Sequence, residues 1–440
     1  MRKGLLGIGM FARKAIHHLR AQRELRRQEA AFSKASEDVS GSRAFVGLDP
    51  FSLALSGISS GERGKPSLNA VLPELRADGI FAGLRTALEF SCRLADRSGH
   101  DLRIVILKNS LDQPAQVEMR QYLAAELGFR GSATFYSAEE MSDVNVHTRD
   151  FWIVTHWTTA HAVDVASRLG LIAKRRVMYL VQDYEPGFHA WGTEFALARS
   201  TYFAGFHHIV NSVPLQTYLA EEEGLQIADE FVFRPQIDLD RAQRAVKHRT
   251  AISVPTIFFY GRQSKPRNLF GIGISALRIV AEELERRGVA AEFVSAGERH
   301  GDIALGSNHY LRSLGKLSWD DYFETVANSN VALSLQHSPH PSHIPLDAIA
   351  SGTFAVTNEL RGTRAGLHGR MLVGEPEPAA LASLVLEALA RSALEGNAGF
   401  DPKFVETFGA SLATVVDSVA VLMRERISQD SAEIQGHDVT

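Results

Sequence analysis

Residues Val331 to Asn358 read VALSLQHSPHPSHIPLDAIASGTFAVTN, and this stretch decides the fold. Val331-Ala332-Leu333 is an apolar segment that runs into a loop of serine, histidine and proline. A short helix follows and stops at Gly352, and Thr353 to Asn358 has the character of a second buried strand. Strand, polar loop, helix start and strand form the layout of an anion site in an α/β domain. The free N–H groups and the dipole of the helix start face whatever sits at the strand ends.

The same alternation extends in both directions. TIFFYG (Thr256–Gly261) and AEFVSAG (Ala291–Gly297) read as strands, with helices expected at Leu269–Arg287, Trp319–Ala327 and Ala379–Ala393. Upstream, LRIVILK (Leu102–Lys108), DFWIVTH (Asp150–His156), RVMYLVQD (Arg176–Asp183) and HHIVNS (His207–Ser212) read as buried strands. Helical spacing marks Phe81–Arg97, Ala160–Leu169, Thr193–Phe203 and Val213–Glu223 between them. Strands alternating with helices imply parallel sheets with crossover connections. The polar, basic stretch Pro235 to Ser253 reads as the break between two such halves, which are expected to face a cleft.

Composition agrees. A chain of 440 residues exceeds one ordinary core, and 45% hydrophobic with 22% charged residues is the balance of a soluble globular protein. A net charge of −4 gives no basic field for nucleic acid. The single cysteine, Cys92, excludes an internal disulfide and a cysteine zinc cluster, and fits a cytoplasmic setting. No apolar run is long enough to span a membrane. The basic, helix-prone start (1–30) does not follow the pattern of a secretory signal. It reads equally as an interfacial helix on anionic lipid or as a solvated or partner-docking arm. The expected divisions are 1–65 (basic helix and loose connection), 66–240, 241–405, a helix at 406–427 and a disordered tail at 428–440. The 406–427 helix is expected to return to the first domain.

Several motifs fall at strand ends, where open α/β sheets bind ligands. Gly261-Arg262-Gln263-Ser264-Lys265 puts two cations after a strand: arginine forks onto phosphate oxygens and lysine adds a point charge. Gly315-Lys316 is a weaker signal of the same kind. Gln182, Asp183, Tyr184 and Glu185 end a strand with a density of groups suited to hydroxyl recognition, and His156 ends another. Asp78 to Gly83 precedes a helix, and its glycines permit close backbone approach. Asp347, in the first turn of the short helix that stops at Gly352, reads as a cap or as a sugar hydroxyl contact. Gly7-Ile8-Gly9 and Gly271-Ile272-Gly273 fail the context required of a dinucleotide loop. Asp238-Leu239-Asp240 reads as linker rather than as a metal-holding pair. His337, His340 and His343 read as pocket lining, because the prolines between them break helical presentation.

Together VQDYEPGFHAWG, FYGRQSKPRN, LGKLS and SPHPSHIPLDAIASG resemble the GT-B glycosyltransferases of glycosyltransferase family 4, and within them the WsaF-like rhamnosyltransferases of bacterial surface polysaccharides. The resemblance covers roughly Ser67 to Leu394. It implies two Rossmann-like parallel-sheet domains facing an inter-domain cleft. It also implies transfer of a sugar, L-rhamnose from dTDP-L-rhamnose, onto a glycan or lipid-linked glycan hydroxyl, with retention and without a metal or other cofactor. Gly83, Arg262, Lys265, Lys316, His343, Ile344, Leu346 and Asp347 would hold the donor, the last three through backbone N–H groups of Ile344 and Leu346 and the Asp347 carboxylate at a helix start placed at Pro345. Asp183 would be catalytic, and Gln182, Tyr184, Glu185 and His156 would meet the acceptor. The family pattern has two glutamates; the second is Asp347 here, and the first falls at Pro339. That proline keeps open a second class of function, a non-catalytic nucleotide-sugar or glycan-binding scaffold in polysaccharide assembly. An epimerase on the same double fold lacks the carboxylate pair its chemistry needs.

Overall fold

The computed structural model describes residues 50–76 and 82–437. The basic N-terminal helix, Gly7-Ile8-Gly9, the Asp78 to Phe81 turn and the last three residues lie outside the described residues.

In chain order the first elements are β1 (Ser59–Gly61), β2 (Ser67–Leu72), α1 (Ala82–Ser98), β3 (Asp101–Ile106), α2 (Gln113–Leu127) and β4 (Ala133–Ser137). They are followed by β5 (Asn145–His147), β6 (Phe151–Val154), α3 (Trp157–Arg168), β7 (Val177–Val181), α4 (Thr193–Thr201), β8 (His207–Asn211), α5 (Val213–Glu223) and β9 (Val232–Phe233). The second series is α6 (Leu239–Lys247), β10 (Thr256–Gly261), α7 (Phe270–Arg286), β11 (Glu292–Gly297), β12 (Ile303–Ala304), β13 (Tyr310–Gly315) and α8 (Trp319–Ala327). It continues with β14 (Val331–Ser334), α9 (His343–Ala350), β15 (Phe354–Asn358), β16 (Met371–Gly374), α10 (Pro378–Glu395) and α11 (Leu412–His437). Two compact units result: Met1–Ile80, Gly99–Tyr179 and Leu197–Phe206 in one, and Phe81–Ser98, Leu180–Ala196 and His207–Thr440 in the other.

Both large sheets have seven strands, in the orders β4-β3-β2-β6-β7-β8-β9 and β12-β13-β11-β10-β14-β15-β16. In the second, β10 pairs in parallel with β11 and β14, and β15 with β14 and β16. Only β12 runs antiparallel, at the edge. Numbered from β10, its parallel strands follow the doubly wound order in which the chain reverses direction across the sheet between the first and fourth strands. Its central strands β10, β11, β14 and β15 are largely buried on both faces, hence their near-continuous apolar runs. Alternation still sorts their side chains. Ile257, Phe259, Leu333 and Val356 pack with α7 and α10, whereas Phe258, Ala332 and Ala355 pack with α8 and α9.

The sequence expectations differ from the structure at three places. α6 lies inside the stretch read as a connection. Asp238 caps it, its carboxylate accepting from the Arg241 N–H at 3.0 Å, while Ala242 and Ala245 are buried and charged residues cover its other face. Asp238 and Asp240 are thus the cap and first turn of a helix. Secondly, α2 and the strands β1, β4, β5, β9, β12, β13 and β16 were not read from the sequence: the strands have short apolar runs, and α2 buries only Met119 and Leu123. Finally, α11 continues past Arg426 to His437, through most of the segment expected to be disordered. Gly271 and Gly273 do lie inside a helix, and a Cβ on Gly273 would stand 2.5 Å from the Phe259 ring. That glycine serves helix-on-strand packing.

Candidate functional site

The loops after β10 and β14 leave the second sheet on either side of the reversal point. β10 ends at Gly261, and a Cβ on Gly297 at the end of β11 would stand 2.8 Å from the Gly261 carbonyl oxygen. Gly297 has φ 119°, so glycine is required there twice over, by space and by backbone. The next residues, Arg262 and Glu298, lie 3.8 Å apart, and Glu298 also accepts from the Ser264 N–H (2.8 Å) and hydroxyl. The Ser264 hydroxyl, then Ser264 N–H, Arg262 and Lys265, hold the Glu298 carboxyl below its ordinary range. Lys265 is exposed, as is Lys316, which follows β13 and the left-handed Gly315.

The loop between β14 and α9 is held from behind. Asn358, fully buried at the end of β15, accepts from the Gln336 N–H (2.7 Å) and donates to the Gln336 carbonyl (3.1 Å). Arg364 is also fully buried. Its Nη2 donates to the carbonyls of Gln336 (2.9 Å), Ser338 (2.6 Å) and His340 (3.0 Å). Its Nε and Nη1 have no hydrogen-bond partner. Burial lowers the Arg364 pKa to about 10, against the opposing pull of Glu359 and Asp183.

His340 and His343 face each other at 5.8 Å. Burial depresses both to about 3, helped by Arg364 beside His340 and by His340 beside His343. Both are therefore neutral at pH 7. His340 Nδ1 accepts from the Ser342 N–H at 3.1 Å, so its proton sits on Nε2, which has no partner. Among the described residues no group of three histidine, cysteine or carboxylate side chains could hold a metal ion.

α9 begins at His343, two residues before the expected start. Leu346 thus occupies the fourth helical position, where an N–H bonds back toward the cap. Pro345 has no N–H, so His343 and Ile344 carry the free backbone donors of this end. Asp347 is buried, and Tyr322 donates to its Oδ2 at 3.0 Å. Desolvation raises its carboxyl to about 8, with a further push from Asp238, despite the Tyr322 hydrogen bond. At neutral pH this is a protonated acid rather than an anion.

Asp183 belongs to the same compact unit as this loop. The Ser338 hydroxyl donates to its Oδ1, Gln336 Nε2 to its Oδ2 at 3.3 Å, and the Tyr184 N–H to Oδ1 at 2.8 Å. Desolvation raises its carboxyl; Ser338, Arg267, the Tyr184 N–H and Arg364 oppose the rise. Arg267 stacks over Phe188 at 4.0 Å, and its carbonyl accepts from the His337 N–H. Gln182 donates to the Gly83 carbonyl at 2.9 Å, so these two expected site residues meet. Tyr184 instead spends its hydroxyl on Glu223 at 2.6 Å, and Glu185 is buried. His156, in the other unit, caps α3 and accepts from the Thr158 N–H.

Sequence reading therefore named Asp183 and the loop but missed what joins them. Gln336 and Ser338 were part of the quoted loop without being singled out. Arg267, Tyr322, Asn358 and Arg364 gave no local signal, since each acts through contacts distant in sequence.

Comparison with known proteins matches the chain in two stretches. Residues 67–212 match the family model of the WsaF N-terminal domain and residues 255–386 that of the WsaF C-terminal domain. The O-antigen biosynthesis protein RfbC of Myxococcus xanthus is 31% identical over 354 residues, which are 76% of this chain and 26% of that protein. The chain thus spans about a quarter of that relative's length. Sucrose-phosphate synthase of Thermosynechococcus elongatus superposes with a TM-score of 0.51 at 12% identity, covering 84% of this chain and 100% of that one. An α,α-trehalose 6-phosphate synthase of Burkholderia multivorans gives 0.51 at 10%, covering 84% and 98%. At these identities the structures show the fold, GT-B with two Rossmann-like parallel sheets. The two family models together account for more than half of the sequence, and the chain belongs to the WsaF family.

Proposed function

We propose that the chain is a glycosyltransferase of bacterial surface polysaccharide synthesis, moving L-rhamnose from dTDP-L-rhamnose onto a glycan hydroxyl with retention of configuration. Membership of the WsaF family supports the class, and the printed name of the Myxococcus relative supports the pathway. The observation that carries the reading is the built loop at 334–342. A buried arginine and asparagine fix its backbone beside a helix start with two free N–H groups, at the reversal point of a doubly wound sheet.

On this reading the difficult step is expulsion of a nucleoside diphosphate as positive charge develops on the sugar. Preorganised donors at the leaving oxygens lower that barrier most. Arg262, Lys265, Lys316 and the N–H groups of His343 and Ile344 supply them without a metal. The departing phosphate takes the acceptor proton on the same face, and Asp183 orients the acceptor hydroxyl or stabilises the cationic sugar. Among the described residues no helix is long and apolar enough to cross a membrane, and the basic N-terminal segment is proposed as a peripheral contact at the inner membrane face.

Incubation with dTDP-, UDP- and GDP-sugars, following diphosphate release, tests the class and ranks the donors. Removing one charge-assisted contact, as in Arg262→Ala or Lys316→Ala, weakens nucleotide binding by about 2 kcal/mol, roughly thirty-fold. Unchanged dTDP binding in both variants removes these residues from the donor site. Asp183→Ala keeps donor binding and loses transfer. Pro339, where the wider family places an acid, favours the scaffold alternative. Glycan or nucleotide binding with no diphosphate release from any donor would establish that alternative.

A further inference from the structure

We propose that Arg364 is a positioning residue for Asp183: it clasps the backbone of the 334–342 loop so that the side chains of Gln336 and Ser338 meet the Asp183 carboxylate. This deepens the reading of Asp183 as the group that serves transfer, and rests on it for the activity arm alone.

The argument is geometric. One buried nitrogen, Arg364 Nη2, gathers the carbonyl oxygens of residues 336, 338 and 340. Two of those residues, Gln336 and Ser338, donate their side chains to the two oxygens of Asp183. The sequence prepares the spacing. Pro339 and Pro341 bias Ser338 and His340 toward extended backbone and contribute no N–H of their own. The proline that stands where the wider family has an acid is therefore part of the device that presents Ser338.

The loop does not depend on Arg364 for its gross course. Asn358 holds Gln336 through both its N–H and its carbonyl, and Arg267 holds His337. What Arg364 adds is the fixing of Ser338, whose hydroxyl accepts from the His340 N–H at 3.2 Å while donating to Asp183. Among the charged groups that act on Asp183 are Arg267 and Arg364, and Glu359 in turn acts on Arg364. Both cations favour the carboxylate over the acid, as does Ser338.

The test is the titration of Asp183 in the full chain, read by isotope-labelled aspartate NMR and assigned with Asp183→Asn. Arg364→Met and Ser338→Ala should each move the midpoint to higher pH. If Arg364 acts through the loop, the double variant moves it less than the two single shifts added. Arg364→Lys should lie between wild type and Arg364→Met, because an ammonium can still serve several carbonyls. Fully additive shifts, or no shift in Arg364→Met, overturn the proposal. Should Arg364→Met not fold, Gln336→Ala and Ser338→Ala decide, since they leave the clasp in place; an unmoved midpoint in both overturns it. In the activity arm, Arg364→Met should lower kcat on the order of a hundred-fold. Failure of the wild type to release diphosphate from any nucleotide sugar refutes the proposed activity and leaves the titration to decide on Arg364.

Discussion

Asp347 offers a direct measurement of how the interior of the second unit treats charge. Its carboxyl is raised from 3.8 to about 8, first by desolvation. Between those values the folded protein holds a proton that the unfolded chain has released, so rising pH favours unfolding. A proton bound only by the folded state changes stability by about 1.4 kcal/mol per pH unit. The clean window lies above 6.5, because below it His340 and His343, lowered from 6.5 to about 3, bind protons in the unfolded chain but not in the folded one. From pH 6.5 to 8, allowing for the flattening near the folded pKa, Asp347 costs about 1.6 kcal/mol. In a unit above 150 residues that is a fall of about 4 °C in Tm. Asp347→Asn replaces the acid by a neutral group of the same shape that can still accept from Tyr322. Calorimetric Tm values for both proteins at pH 6.5, 7 and 8 should diverge, with the wild type falling more steeply. Other titrating groups cancel in the difference. Equal slopes would mean that Asp347 carries its charge when folded, and the reasoning from burial would be refuted.

Two further outcomes concern backbone and histidines. A Cβ on Gly352 would overlap the Ala398 carbonyl at a φ of 74°, so Gly352→Ala should lose at least about 2 kcal/mol. Gly396→Ala has a similar φ of 70° with nothing within 4 Å, and should lose only about 1 kcal/mol; equal Tm losses in the two would show that the overlap relaxes. On the acid side, the two lowered histidines contribute stability that is full above 6.5 and is lost as pH falls toward 3. Replacing either by asparagine should remove about 1.4 kcal/mol per pH unit of that dependence, visible as a flatter Tm profile between pH 6.5 and 5.

The legibility of the fold followed from burial on both faces. β10, β11, β14 and β15 are runs such as TIFFYG and FAVTN whose apolar content is continuous, and their position was read to within a residue or two. β16 escaped because four residues are too few to carry a period. α6 escaped because four charged residues and a glutamine in nine mask two buried alanines. At the candidate site, cations at strand ends were legible because glycine directly precedes Arg262 and Lys316 and Lys265 follows three residues after Arg262. The buried partners were not, because Arg364 meets residues 24 to 28 positions away and Tyr322 meets Asp347 across 25. A single sequence carries no mark of such pairings; only the sheet order that stacks β14 beside β15 creates them.

Burial acts on two aspartates of the second unit, Asp183 and Asp347. Both are pushed up by desolvation, but their surroundings differ in kind. Asp347 has one neutral partner, Tyr322, and a like charge nearby in Asp238, so nothing compensates an anion there. Asp183 has two arginines, a backbone N–H, a serine hydroxyl and a glutamine amide directed at it. Groups placed so that one acid is kept neutral and its neighbour is supplied with donors are assigned different work. A protonated Asp347 can donate a hydrogen bond to an oxygen, whereas the donors around Asp183 favour the accepting carboxylate against the burial that raises it. On the proposed reading, the contact that sequence assigned to an Asp347 carboxylate is made instead by a neutral acid. On that reading the group that would stabilise a developing sugar cation is Asp183, whose carboxyl the loop supplies with donors.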